Sequence, residues 1–507
     1  MFILLKRKEI VRWNMRENFQ KIDFGMADAE SERIHNPALL LEGYLDANGY
    51  IDKILFDRYF LIIGPKGSGK SAIGSKISLL SNEMENLYVK QYTLRDFPYG
   101  KFDQLLPSKE ASETRYPINW QFILYTTLLN SISNDPEATS SMINIKDGIA
   151  VFENLGLLDN VDLAQIVNRA TRKEFELMIP KFIKVTLTPE ANKKVKMETV
   201  YTGLRRLCNS ISTPNQHMII IDGLDDVLTG RERQYLSLSA LFISADRINK
   251  ELKEHGVNAK ILLLCRRDLL DKLKDPNLNK IVTDYGIYLN WYQDVRDVNA
   301  TNLVQLVNHR AKVTLKRDVD VFSEFFPENF VNDSIPSLMN VKKLLNNTRH
   351  TPRDILQLMK HIQSYSKGNI VSYDDIKNGL RQYSIEYFRK EINDEVFGFL
   401  SSDEQDKIFD LLASFGKANF QLSEIQQKAK NNERFADLDL IKIFTTLYNC
   451  NAIGNSDLNT NYMNWKYRNY YTSFSPDQMI NVHGGLFKAL NLHYDSSKNI
   501  ASNNEFK

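Results

Sequence analysis

The chain has 507 residues, 43% hydrophobic and 25% charged, which is ordinary for a folded protein and enough for about three domains. Its formal net charge of +2 points to no nucleic-acid or membrane partner, so any basic surface must be local. The three cysteines, Cys208, Cys265 and Cys450, lie far apart without CxxC spacing, and the eight histidines show no ligand spacing. That argues against a disulfide framework or a zinc site and leads us to expect a reducing, cytoplasmic setting. The opening "MFILLKRKEIVRW" has an apolar run too short for a signal or a membrane span, and no run of 18 apolar residues occurs.

In chain order, residues 1–40 read as a polar lead-in and "NPALLLEGYLD" (36–46) as the start of ordered structure. "DRYFLII" (57–63) is a short buried strand, 70–82 a helix and "LYVKQYTL" (87–94) a second strand; "INWQFILYTTLLNSIS" (118–133) is spaced as a core helix. A charged, mainly helical stretch over about 135–200 reads as an insertion. "HMIIID" (217–222) and "AKILLLCRR" (259–267) are continuous apolar runs, the pattern of parallel strands buried on both faces, with an amphipathic helix (235–256) between them. "YGIYLNW" (285–291) reads as the last strand of the sheet. Helices follow from about 296. From 400 the order is helix 403–416, helix 422–430, helix 437–454 and an alternating segment, "NYMNWKYRNY" (461–470), the order of a winged helix-turn-helix. The end of the chain is polar and expected to be disordered.

Residues 64–71, Gly64-Pro65-Lys66-Gly67-Ser68-Gly69-Lys70-Ser71, satisfy G-x-x-x-x-G-K-[ST], and Ala72 continues the helix. Glycines let the backbone curl until successive N–H groups face one centre, and the helix that follows adds the positive end of its dipole. In such a loop Lys70 reaches the β- and γ-phosphates of ATP, and Ser71 places its hydroxyl on Mg²⁺. Lys66 either helps the phosphates or is solvated.

The second anchor is "MIIIDGLDDVL". A buried strand delivers Asp222 to the carboxyl edge of the sheet, where ligands bind in open α/β folds, and one carboxylate there can hold Mg²⁺ through water. A second acid three or four residues on, Asp225 or Asp226, can orient a hydrolytic water.

"IIIDGLDD" resembles the acidic motif of the signal-transducing ATPases with numerous domains (STAND), especially the NACHT group, and "ILLLCRRD" resembles the strand on which they present a sensor arginine. The resemblance implies Asp222 as the metal aspartate, Asp225 as the second acid and Arg267 as the sensor. Cys265 and Arg266 stand where hydroxyls are usual, so Arg266 and Arg267 both remain candidates for the γ-phosphate. "RHTPRDILQLMKHI" (349–362) resembles the lid motif of origin-recognition-type AAA+ ATPases, with Arg353 as the arginine that reaches the nucleotide. Over nearly its full length the chain resembles a family of bacterial P-loop ATPases that share "GPKGSGKSAI", "PNLNKI", "TPRDIL" and a final H-x-G-L-x-K-A-L. The resemblance implies anti-phage defence as a setting.

The expected fold is an α/β P-loop NTPase sheet of AAA+/STAND-like kind: a core over 41–295, a helical lid over 296–395, a winged helix-like domain over 400–495 and a tail over 496–507. The expected function is a slow, Mg-dependent ATPase switch that changes oligomeric state, as a homo-oligomer and with a protein effector. The alternative is an ATP-dependent DNA-binding protein of initiator or loader kind, using Lys442, Lys466, Arg468 and the aromatics Trp465, Tyr467, Tyr470 and Tyr471. Against DNA, the third helix is acidic at its start and the aromatics serve equally as core. A small-molecule kinase would use the same loop, but no acceptor signature accompanies it.

Overall fold

The apolar run that ends at Gly64 is strand β1 (Leu61–Gly64), buried along its whole length. In the computed structural model it is the fourth strand of a five-stranded sheet, with β2 (Leu87–Thr93), β3 (Gln216–Asp222), β4 (Ala259–Arg266) and β5 (Gly286–Tyr288) in the order β2–β3–β4–β1–β5. All four pairings are parallel. The structure describes residues 19–105, 112–140, 145–158, 160–171, 197–224, 232–273, 275–327, 330, 339–367, 370–457 and 462–494. The expected disordered tail and most of the insertion's second half lie outside them.

The sheet explains why its strands read as unbroken apolar runs. Successive side chains of a strand point to opposite faces, and here both faces are covered. Leu61, Ile63, Ile219, Ile221, Leu263 and Cys265 join one core with helices α3 (Ser112–Ile132) and α4 (Glu232–Glu254). Residues of the opposite parity, Ile220 and Leu264, lie against Gly74 of helix α2 (Lys70–Leu80). The insertion's helices Ile145–Asn154, Leu163–Ala170 and Met197–Asn209 extend the first core through Phe152, Ile166, Leu204 and Leu207.

The chain divides into two compact units, Asp46–Asn290, which holds this sheet, and the described residues of Met1–Leu45 with Trp291–Lys507. The second unit is mainly helical. Its main elements are α7 (Asn302–Leu315), α8 (Pro352–Tyr365), α9 (Tyr373–Gln382), α10 (Arg389–Val396), α11 (Ser402–Phe415), α12 (Leu422–Lys430) and α13 (Leu440–Asn449). In the first unit, α1 is Tyr50–Phe56, α5 Arg267–Leu270 and α6 Pro276–Tyr285. One apolar core runs through the second unit and includes Leu303, Ile355, Leu412, Phe444 and Ile480. Phe19, Ile22 and Phe24, within the stretch read as a polar lead-in, are buried in that core, with Phe19 against Phe325 and Phe326 at 5.5 and 5.9 Å between ring centres.

The last part of this unit carries a small antiparallel sheet of β6 (Asn419–Phe420), β7 (Ile453–Ser456), β8 (Met463–Asn464) and β9 (Met479–Val482), in the order β8–β7–β9–β6. The segment 461–470 departs from its expected strand. Among its described residues only Met463 and Asn464 pair as strand. The alternation that suggested a longer one comes from Trp465 and Tyr467, which stack on each other at 5.8 Å and pack against His483.

Candidate nucleotide site

The turn after β1 folds as its glycines require. Gly67 and Gly69 have φ of 79° and 95°, the left-handed region in which a side chain is strained. Gly69 is the N-cap of α2 with no side-chain cap, so the first amides of an 11-residue helix open toward the turn. A Cβ on Gly64 would overlap the Ser68 hydroxyl and crowd Leu289. Lys70 is buried, and its Nζ donates to the carbonyls of Gly64 at 3.1 Å and Pro65 at 3.0 Å. The ammonium thus lies folded over the loop it belongs to. Pro65 is exposed; Lys66, Ser71 and Ala72 are half-buried.

Asp222 ends β3, and its Oδ1 accepts the Gly223 N–H at 2.7 Å. Gly223 has φ of 71°, and a Cβ there would overlap the Thr93 hydroxyl. The glycine is therefore required by both conformation and space, and it lets the chain turn away while the carboxylate stays at the sheet's edge. Asp225 and Asp226 lie outside the described residues.

Strand order decides what joins these two pieces. β4 lies between β1 and β3, with Ile63 opposite Cys265 and Gly64 opposite Arg266. By the two-residue alternation, Asp222 shares the face of Ile220, and Arg266 that of Leu264. That is the face α2 covers, and α2 begins with Lys70 and Ser71. The loop, Asp222 and one arginine thus converge on one edge and one face. A single carboxylate and a hydroxyl form a sparse donor set of the kind Mg²⁺ takes when phosphates and water complete its shell. Ser71 and Asp222 would hold such an ion, which would neutralise phosphate charge.

The two arginines at the end of β4 differ. Arg266 is buried and paired with Asp268 through two hydrogen bonds, Nε to Oδ1 at 2.8 Å and Nη2 to Oδ2 at 2.6 Å. Arg267 opens α5 and lies over the Tyr288 ring of β5, 5.0 Å from its centre. Asp268 was not singled out from the sequence; the "RRD" spacing was its only signal. Burial works to raise its pKa, but Arg266, with smaller contributions from Lys272 and Lys70, holds it below the usual carboxylate range.

Arg353 belongs to the other unit, in the first turn of α8 after Pro352, with Nη1 3.9 Å from the Glu391 carboxylate. Its neighbour Asp354 is fully buried and is the centre of a network the sequence did not reveal. Arg349 donates to Asp354 through Nε at 2.8 Å and Nη2 at 2.7 Å, and to Glu395 through Nη1 at 2.5 Å; the Tyr387 hydroxyl donates to Asp354 at 2.9 Å. Burial opposes the Asp354 charge, yet Arg349 holds its pKa at about 2.

A Ser–His–Asp chain also occurs, at the opposite end of β3. The Ser131 hydroxyl meets His217 Nδ1 at 2.9 Å, and His217 Nε2 meets Asp135 at 3.1 Å. Ser131 and His217 are wholly buried, and Asp135 also accepts from Thr213 and Asn215. A hydroxyl with no access to solvent cannot meet a substrate, so this chain ties the start of the insertion to the sheet.

The residues expected to meet DNA are engaged within the unit. Lys442 pairs with Glu404 at 2.7 Å, Lys466 donates to the Thr472 carbonyl at 2.9 Å, and Arg468 lies over Tyr292. Trp465 is buried. Tyr467 packs on His350 at 4.8 Å, while Tyr471 is 85% exposed. Among the described residues no cluster of His, Cys, Asp and Glu could hold a metal ion by itself, and no helix is long and apolar enough to cross a membrane.

The sheet unit, with its glycine turn between a buried parallel strand and a helix, is consistent with a P-loop NTPase fold. Residues 301–390 match a family described as the FunZ-associated C-terminal helical domain. No curated protein matches the chain. Among solved structures it is similar to that of the Aeropyrum pernix ORC1 protein in complex with DNA, at 12% identity and a TM-score of 0.35 over 90% of this chain and 92% of that one. That likeness is too slight to bear on function.

Proposed function

We propose that the chain is a Mg-dependent, ATP-binding and hydrolysing switch of STAND/AAA+ type that controls assembly with a protein effector. The observation that carries the reading is the convergence of Lys70, Asp222 and Arg266 on the α2 face at the carboxyl edge of the sheet. Lys70 holds the phosphates, and the open amides of α2 and the glycine turn surround them. Asp225 or Asp226 orients the attacking water. Arg267 is a further cation of the site; a nucleotide-sensing role for Arg353, in the helical unit, is carried from the resemblance in sequence alone. The effector and the anti-phage setting are carried from the resemblance in sequence.

DNA binding through a winged helix-like module is the weaker reading, because Lys442, Lys466 and Arg468 already have partners inside their own unit. The test is to measure nucleotide affinity, phosphate release and size of the purified chain with and without ATP and Mg²⁺. We expect ATP to bind and to shift the oligomeric state, Lys70→Ala to abolish binding, and Asp225→Asn to spare binding and slow turnover. Wild-type protein that bound no nucleotide, or a Lys70→Ala variant that bound it normally, would end this reading.

A further inference from the structure

The clasp between Arg266 and Asp268 stands at the mouth of the glycine turn. Arg266 is the register partner of Gly64, and the alternation of β4 puts its side chain on the face of α2. Both oxygens of Asp268 are engaged by one guanidinium, at 2.8 and 2.6 Å. Arg267 instead lies over Tyr288 of β5. Contact with a ring is a weakly directional restraint on a cation. A two-point carboxylate pair is the stronger and more directional restraint. The two neighbouring arginines are therefore not equivalent: one is clasped beside the loop, the other rests on the next strand.

We propose that Asp268 is a positioning residue that competes with the terminal phosphate of a nucleoside triphosphate for Arg266. The inference rests on the nucleotide reading above. Before loading, Asp268 neutralises Arg266 and fixes its plane. A third phosphate beside Lys70 brings charge to the place where Asp268 already sits, and it engages Arg266 only by displacing both carboxylate bonds. A diphosphate stops short of that exchange. Asp268 thus sets a threshold that weighs on triphosphate more than on diphosphate. The position of its carboxylate within the field of Lys70 as well as Arg266 agrees with this.

The experiment compares ATP and ADP affinities, with Mg²⁺, for the full chain and for Asp268→Asn, Arg266→Gln and the double variant. Asp268→Asn should tighten ATP about tenfold and leave ADP within about twofold, and the gain should vanish in the Arg266→Gln background, since coupling appears only between residues that act on each other. Asp268→Ser should behave in the same direction, and it stands in if the amide variant fails to fold. Unchanged or weaker ATP binding, or equal tightening of ATP and ADP, would overturn the proposal. Lys70→Ala separates the two readings: if wild type binds both nucleotides and this variant neither, the nucleotide site stands whatever Asp268 does.

Discussion

Arg349 and Asp354 meet through two parallel hydrogen bonds, at 2.8 and 2.7 Å, in a place where their side chains are 3% and 0% exposed. Asp354 lies five positions after Arg349 along the chain. Between them Thr351 caps α8 and Pro352 opens it, so the turn that starts the helix also folds the arginine back onto the acid. Removing one partner of a buried ion pair strands the other charge, which is destabilising by about 3–5 kcal/mol. Asp354→Ala should lower the unfolding free energy of the helical unit, read from urea denaturation, by that amount. Arg353→Ala, whose nearest carboxylate is 3.9 Å away and whose side chain is 26% exposed, should change it by less than about 1 kcal/mol. Equal losses for the two variants would contradict the network.

Acid should weaken this unit before it reaches the Asp354 titration. Burial pushes His350 and His483 from the ordinary 6.5 down to about 3, with the Arg468 cation adding to the effect at His350. A base held neutral in the fold but free to protonate when unfolded contributes its full stability above pH 6.5, and loses it as pH falls toward 3. The slope is at most about 1.4 kcal/mol per pH unit for each histidine. Asp354, held at about 2, adds its own loss only below its ordinary value of 3.8. Unfolding free energies between pH 7.5 and 4.5 should therefore decline, and His483→Gln should flatten the decline.

Gly223→Ala tests the turn that leaves Asp222 at the sheet's edge. The backbone there is left-handed at φ 71°, and the new methyl meets the Thr93 hydroxyl. Strain of this kind is about 1–3 kcal/mol. The variant should melt earlier and should lose phosphate release more than ATP affinity, because Lys70 and the glycine loop are untouched. Thr93→Ser keeps the hydroxyl and should leave both unchanged.

Asp135→Ala offers the converse. It removes the acceptor of His217, Thr213 and Asn215 at the amino end of β3, away from the carboxyl edge that carries Asp222. We expect a loss of about 2–4 kcal/mol from stranded buried polar groups, with ATP affinity preserved. A serine-directed phosphonate should fail to label Ser131 in the folded chain, since that hydroxyl is fully buried.

Local chemistry carried the loop. "FLIIGPKGSGK" specifies a buried strand, a turn that only glycine tolerates and a helix start, and each of these is set by residues within reach of one another along the chain. The two-faced burial of β3 and β4 was legible for the same reason: unbroken apolar runs have no other economical place. The α4 and α11 boundaries were legible through Gly256 and Gly416, whose φ of 72° and 73° end their helices. Tertiary structure alone decided the rest. It put β4 between β1 and β3, so that Arg266 became the partner of Gly64, and it set Asp268 on that arginine. It gathered Arg349, Asp354, Tyr387 and Glu395 into one network and drew Phe19 into the helical core. It also turned the aromatic alternation after Met463 into a ring cluster instead of a strand. Periodicity reports which face of an element is apolar; which distant partner meets that face depends on how the chain reverses, and no short window of sequence contains that information.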